Sequence, residues 1–150
     1  MDIKELFKIL VKAYYEDNFE TVVNNLMEQN ENKDFINKVI SALCGVDLSD
    51  NSNEYSKELK NAIFNYVSTN KVVVRVKDCN FDCMNLGEKT NCEESCAFDA
   101  ILIKDKRVFI DSNKCTDCGF CIDACPNNCY MDKVEFLPLA KTLNEKRLSF

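Results

Sequence analysis

The residues best suited to chemistry are four closely spaced cysteines, in the run C-T-D-C-G-F-C-I-D-A-C-P from Cys115 to Pro126. Their spacing is C-x2-C-x2-C-x3-C, and a proline directly follows the last cysteine. Three thiolates at i, i+3 and i+6 on one tight loop can bind three corners of an iron-sulfur cube, whereas a fourth on the following short helix is directed elsewhere. The run therefore predicts an iron-sulfur site and a second set of cysteines upstream.

A second set of cysteines does lie upstream, and it comprises Cys79, Cys83, Cys92 and Cys96. When the two halves are aligned backwards from their last cysteines, both show a C-x3-C pair. The first half has one extra residue before Cys83 and six extra residues before Cys92. Loop insertions add little closure entropy, so this part of the chain is interpreted as an internal repeat of two cluster-binding halves.

Over roughly residues 76 to 132 these motifs resemble bacterial ferredoxins with two [4Fe-4S] clusters. The resemblance implies pseudo-two-fold symmetry, with two short hairpins and two short helices around the clusters. It also implies that the halves exchange their fourth ligands. The first cluster would then be bound by Cys79, Cys83, Cys92 and Cys125, and the second by Cys115, Cys118, Cys121 and Cys96.

Three features depart from the family pattern, and all three lie in the first half. They are the x3 spacing after Cys79, the eight-residue gap before Cys92, and Ala97 where the family usually has proline. Inserted loops change solvent exposure and hydrogen bonds to sulfur, which help to set the reduction potential. The departures therefore predict that the first cluster has either an unusual reduction potential or fewer than four irons.

Two cysteines are predicted not to be ligands. Cys44 extends a helical apolar stripe, and Cys129 aligns with Ala100, a position of small buried side chains. Zinc competes for C-x2-C pairs, but zinc sites usually separate their pairs by a dozen or more residues. Disulfides are disfavoured because eight of the ten cysteines follow iron-sulfur spacing and no secretory signal is evident.

The fold class predicted is α+β, in three parts. Residues 1–70 form a small helical bundle, because apolar residues recur every three or four positions in each of four segments. Gly45 is expected to end the third of these helices. Residues 71–132 form the two-[4Fe-4S] ferredoxin-like domain, entered by a β-branched strand at 72–76, with a hairpin at 100–111 linking the halves. Residues 133–150 are a tail, with a final helix expected after Pro138.

Charge and composition restrict the partners. The net charge of −6 argues against nucleic acid and suits basic docking patches on redox proteins. No apolar run is long enough for a membrane span and no secretory signal is evident, which predicts a cytoplasmic protein without membrane attachment. The sequence has no histidine, which removes imidazole as a metal ligand and as a general base.

The predicted function is one-electron transfer at low potential, with no substrate chemistry of its own. A weaker resemblance, extending through D-K-V-E-F-L-P-L-A-K-T-L-N-E-K at 132–146, links the chain to the electron-input region of some iron-only hydrogenases. It implies a module that serves an oxidoreductase or hydrogenase-type partner. The alternative is an iron-sulfur sensor or regulatory subunit, in which cluster loss or oxidation alters the helical domain.

Overall fold

The computed structural model describes residues 2–48, 54–66, 72–84 and 89–140. The chain divides into two compact units, Met1–Ser68 with Lys133–Phe150, and Thr69–Asp132. Helices dominate the first unit, while the second combines two short helices with two small sheets. This mixture agrees with the predicted α+β class. None of the described helices is long and apolar enough to cross a membrane.

The described residues before 68 form four amphipathic helices of the first unit: α1 Ile3–Tyr15, α2 Phe19–Glu28, α3 Lys33–Leu43 and α4 Tyr55–Phe64. The side chains of Asp2 and Asn32 accept N–H bonds at the starts of α1 and α3. The predicted apolar stripes are confirmed, because their central residues are buried: Leu6, Leu10, Phe19, Val23, Leu26, Ile36, Val39, Ile40, Leu43, Leu59 and Ile63. The polar loop at 46–53 also predicts an N-cap near Ser52, which falls outside the described residues. The fourth apolar stripe in the sequence includes Tyr66, but α4 ends before it.

Gly45 ends α3, as predicted. Its φ of +73° is a left-handed conformation that favours glycine, and its N–H donates to Ala42 O at 3.1 Å. The N–H of Val134 also donates to Ala42 O, at 2.8 Å. The segment that follows the second unit therefore covers the C-terminal end of α3.

The same segment carries a buried cation. Lys133 is 5% exposed, and its ammonium donates to Asp47 Oδ2 at 3.0 Å. Residues 136–140 then form a helical turn that begins two residues before Pro138 instead of after it. Proline fits there because the first turn of a helix needs no N–H donor. The spacing of Leu139, Leu143 and Leu148 predicts that all three belong to this helix, and the last two lie outside the described residues.

The second unit contains β1 Val73–Arg75, α5 Asn91–Ser95, β2 Ile101–Lys104, β3 Arg107–Ile110, α6 Phe120–Ala124 and β4 Tyr130–Asp132. Strand β1 pairs antiparallel with β4, so the two ends of the unit meet in one sheet. Strands β2 and β3 form the predicted hairpin, turning through Asp105 and Lys106 at φ of +50° and +60°. Strand β1 is shorter than the predicted 72–76.

The core of the second unit is partly built from cysteine. Four apolar residues and two thiols are buried together: Val73, Ile101, Val108, Tyr130, Cys92 and Cys129. Further thiols pack against this cluster from partly buried positions: Cys79, Cys96, Cys121 and Cys125. In this small unit, thiols therefore occupy core positions that aliphatic side chains would fill in a larger domain.

Candidate metal centre

One loop and one short helix present the cysteines of the second half. Cys115 and Cys118 lie on the loop, Cys121 lies in α6, and Cys125 is the residue at the C-terminal cap of α6. Gly119 starts the helix with a φ of +80°, a left-handed turn that redirects the chain from loop to helix. A short stretch of chain therefore presents all four thiols of this half.

Asp117 fixes this loop to the sheet. Its Oδ1 accepts hydrogen bonds from the N–H groups of Val72 and Val73, at 3.0 and 3.2 Å. The same oxygen lies 3.8 Å from Cys115 Sγ. The start of β1 and the cysteine loop are therefore held together by one carboxylate, which also places negative charge beside Cys115.

The first half presents its cysteines through a loop and α5. Cys79 and Cys83 precede residues 85–88, which are not described, and Cys92 lies in the first turn of α5. A capping box formed by Thr90 and Glu93 fixes the start of this helix. Cys96 is its C-terminal cap residue, so the two short helices carry equivalent pairs of cysteines.

Backbone N–H groups point at two of these sulfurs. The N–H of Phe81 donates to Cys79 Sγ at 3.2 Å, and that of Ala100 donates to Cys96 Sγ at 3.3 Å. Hydrogen bonds to a cysteine sulfur orient it and, where the sulfur binds an iron-sulfur cluster, help to set the reduction potential. Phe81 adopts a φ of +63°, so the backbone accepts some strain at this position.

The thiols line two small cavities that are partly open to solvent. The first is lined by Cys79, Cys83, Cys92 and Cys125, together with Cys129. The second is lined by Cys96, Cys115, Cys118 and Cys121. Each four-cysteine run therefore sends its last member to the cavity of the other run.

The thiols surround these cavities without closing on a single point. In the part of the chain that the structure describes, no three side chains of the metal-binding types are arranged to hold one metal ion. A four-iron cluster takes one cysteine at each of four irons, so its ligands stand apart at the corners of a cube. The donor set of each cavity fits that requirement.

Ionisation of the thiols is shaped by burial and by neighbours. Burial raises the pKa of Cys121 to about 11, and the nearby Cys115 and Cys118 add to this effect. At Cys125 burial also opposes ionisation, but bonds from backbone N–H groups and from the thiol of Cys129 outweigh it, so its pKa is lowered. Cys129 shows the reverse, because burial and the neighbouring Cys125 raise its pKa to about 12.

Cys129 is the sequence-predicted non-ligand that lies at a cavity. It is 1% exposed, which agrees with the expected small buried side chain. It also lines the first cavity, with its Sγ 3.9 Å from Asp78 O. Next to Cys125, a protonated Cys129 would act as a donor to a thiolate.

We predict that Cys129→Ala leaves the iron content unchanged and lowers the free energy of unfolding by about 1 kcal/mol, from lost packing. Iron analysis and urea denaturation of the variant measure both quantities. Loss of about four irons per chain would instead make Cys129 a ligand.

Cys44 lies away from this chemistry, in the helical unit. It caps α3, is fully buried, and has its pKa raised by that burial. We predict that Cys44→Ala leaves iron per chain at the wild-type value, because an inert buried thiol behaves as a small apolar residue. A fall in iron content, measured on protein reconstituted in parallel with wild type, would contradict this assignment.

Two further residues of the first cavity were not found from the sequence, Arg75 and Tyr130. Arg75 is the only charged residue in the run V-V-V-R-V at 72–76. A single arginine in a β-branched run is the sequence signal that could have indicated a position at the site. Tyr130 is 5% exposed; burial first, and the neighbouring Cys92 second, raise its pKa. Both residues place polar groups beside the thiols.

Comparison with known proteins identifies the domain. The family model of a 4Fe-4S binding domain matches residues 106–127, which include the run from Cys115 to Cys125. The chain contains a 4Fe-4S ferredoxin-type domain. The family model describes a domain that binds a [4Fe-4S] cluster.

Two curated proteins are similar to part of this chain. One is a subunit of the Na(+)-translocating ferredoxin:NAD(+) oxidoreductase complex of Acetobacterium woodii, 42% identical over 53 residues, which is 35% of this chain and 15% of that protein. The other, an uncharacterized ferredoxin of Methanocaldococcus jannaschii, is 44% identical over 39 residues, 26% of each chain. The chain thus spans about a quarter or less of these relatives. No solved structure matches it significantly.

Proposed function

We propose that the chain transfers single electrons at low potential through two [4Fe-4S] clusters. Cys79, Cys83, Cys92 and Cys125 would bind the first cluster, and Cys96, Cys115, Cys118 and Cys121 the second. The observation that carries the proposal is the pair of cavities lined by cysteines from both halves, five in the first, including Cys129, and four in the second. A four-iron cluster, when bound, supplies one-electron redox chemistry that no side chain of this protein can supply.

The protein's own part is binding, burial and hydrogen bonding. The cysteines bind as thiolates, and the N–H groups of Phe81 and Ala100 stabilise two of them. The apolar core around Val73 and Ile101 limits access of water. These are the factors by which a protein sets the reduction potential of an iron-sulfur cluster.

The biological setting we propose is a ferredoxin-like carrier or an electron-input module of a larger redox enzyme. Support comes from the partial matches to a ferredoxin and to one component of a ferredoxin:NAD(+) oxidoreductase complex. The partner would be an oxidoreductase, with a hydrogenase-type enzyme as one candidate. The net charge of −6 suits a basic docking surface on that partner.

A second candidate function is redox sensing. Cys118 is exposed to solvent, and an exposed ligand makes a cluster more open to oxidants and to loss of iron. In that case oxidation would alter the helical unit and, through it, binding to a regulated partner. The carrier and the sensor differ in whether the protein fold responds to the redox state.

Protein-film voltammetry and circular dichroism on the reconstituted protein separate the two candidates. A carrier is expected to show reversible one-electron waves and the same helical signal in both redox states. A large loss of helical signal on oxidation would favour the sensor, and the absence of any reversible wave would contradict electron transfer.

A further inference from the structure

The two cavities differ in charge. Arg75, the last residue of β1, lines the first cavity alongside the thiols. No lysine, arginine, aspartate or glutamate is among the described residues that line the second. An acidic group, Asp117, lies beside one of its thiols, with Oδ1 3.8 Å from Cys115 Sγ. The first site therefore has a positive neighbour and the second a negative one.

The guanidinium of Arg75 is held in place from several sides. One Nη donates to Val108 O, and the other donates to Lys77 O at 3.0 Å. The guanidinium also lies over the ring of Tyr130, with its carbon 5.7 Å from the ring centre. The positive charge is thus fixed at the cavity wall instead of moving freely in solvent.

One donor of this side chain is left without a partner. The Nε–H of Arg75 is buried and makes no hydrogen bond to any described residue. Arg75 also forms none of the ion pairs seen between described residues. A buried arginine donor and its charge are costly unless something negative compensates them. The group that this cavity can offer is a cluster with its thiolates.

We propose that Arg75 sets the reduction potential of the first cluster above that of the second, an inference that rests on the proposed function. Reduction adds one negative charge to a cluster, and a fixed positive charge in the wall stabilises the reduced state more than the oxidised state. The carboxylate of Asp117 acts in the opposite sense beside Cys115. With this order of potentials, the second cluster, beside the exposed Cys118, would be the point of electron entry and the first cluster would be the acceptor.

The test compares Arg75→Gln with Arg107→Gln in reconstituted full-length protein. Arg107 lies exposed on β3, so its replacement removes the same charge without touching either cavity. Each variant is titrated under electron paramagnetic resonance, and iron per chain is measured on the same samples. Signals are assigned with Cys79→Ser and Cys115→Ser, which disturb one cluster each.

We expect Arg75→Gln to lower the potential of the first cluster alone. At a fixed applied potential its ratio of reduced to oxidised cluster should fall at least tenfold, about 59 mV for a one-electron couple. Arg107→Gln should move both clusters by less than threefold in this ratio. Full iron content with an unchanged first potential in Arg75→Gln would overturn the inference.

Arg75→Lys separates the effect of the positive charge from the effect of the hydrogen bonds that the arginine makes. Lysine keeps the charge but not the paired bonds to Val108 and Lys77, so most of the wild-type potential should return. A first-cluster potential in Arg75→Lys close to the wild-type value supports the inference even if Arg75→Gln fails to retain the first cluster. A potential in Arg75→Lys as low as in Arg75→Gln would overturn it. A wild-type chain that binds no cluster at the first cavity would overturn the proposed function itself.

Discussion

Cys125→Ser is expected to damage the cluster of Cys79, Cys83 and Cys92 while leaving that of Cys115, Cys118 and Cys121 largely intact. The reason is geometric, because Cys125 lines the first cavity although it directly follows the second set in the sequence. The substitution is best made in a Cys129→Ala background, since Cys129 lines the same cavity and offers a replacement thiol. Loss of about four irons per chain is the expected size of the effect.

The matched control is Cys96→Ser, which should do the reverse. Cys96 follows the first set in the sequence but lines the second cavity. Spectra of the two variants, with each cluster assigned beforehand through Cys79→Ser and Cys115→Ser, show which one is lost. If Cys125→Ser selectively removed the cluster of Cys115, each run would hold its own cluster and the exchange of ligands would be wrong.

Gly45→Ala is expected to lower the free energy of unfolding of the helical unit by about 2–4 kcal/mol. Two costs add at this position. Its φ of +73° is unfavourable for alanine, and a Cβ would stand 2.8 Å from Val134 O and 2.9 Å from the Cα of Glu135. Both of these contacts are backbone atoms, so the covering segment must shift as a whole. Urea denaturation followed by far-ultraviolet circular dichroism measures the loss.

Gly119→Ala separates the two costs. Gly119 has a similar φ of +80°, but the nearest atom to an added Cβ is Ile122 Cδ1 at 4.0 Å. Only the conformational cost of about 1–2 kcal/mol should remain. If Gly45→Ala lowered the free energy of unfolding no more than Gly119→Ala, the close approach of Val134 to the end of α3 would contribute nothing to the cost of the substitution.

The elements that the sequence predicts well are those in which a local pattern has a single structural solution. The stripes of α1 to α4 are periodic and therefore indicate their buried faces, as Leu10 and Val23 illustrate. The hairpin is predictable because K-D-K-R lies between two apolar runs, and Asp105 and Lys106 make its turn. The family match agrees with the cysteine spacing from Cys115 to Cys125.

Features that depend on contacts distant in sequence are missed or misplaced. The sequence indicates Arg75 only as part of a strand, because its role at a cavity depends on Val108 and Tyr130. The turn at 136–140 begins before Pro138, since the segment is fixed earlier through Val134 and Lys133. The alignment with Ala100 predicts burial of Cys129, and only the folded chain shows it in the wall of a thiol-lined cavity.

The central claim is that one chain binds two four-iron clusters, and iron analysis after anaerobic reconstitution with iron and sulfide tests it most directly. We expect about eight irons and eight sulfides per chain, with reduced protein giving an electron paramagnetic resonance spectrum of two interacting clusters. About four irons with a single isolated signal, or stoichiometric zinc in place of iron, would contradict the account.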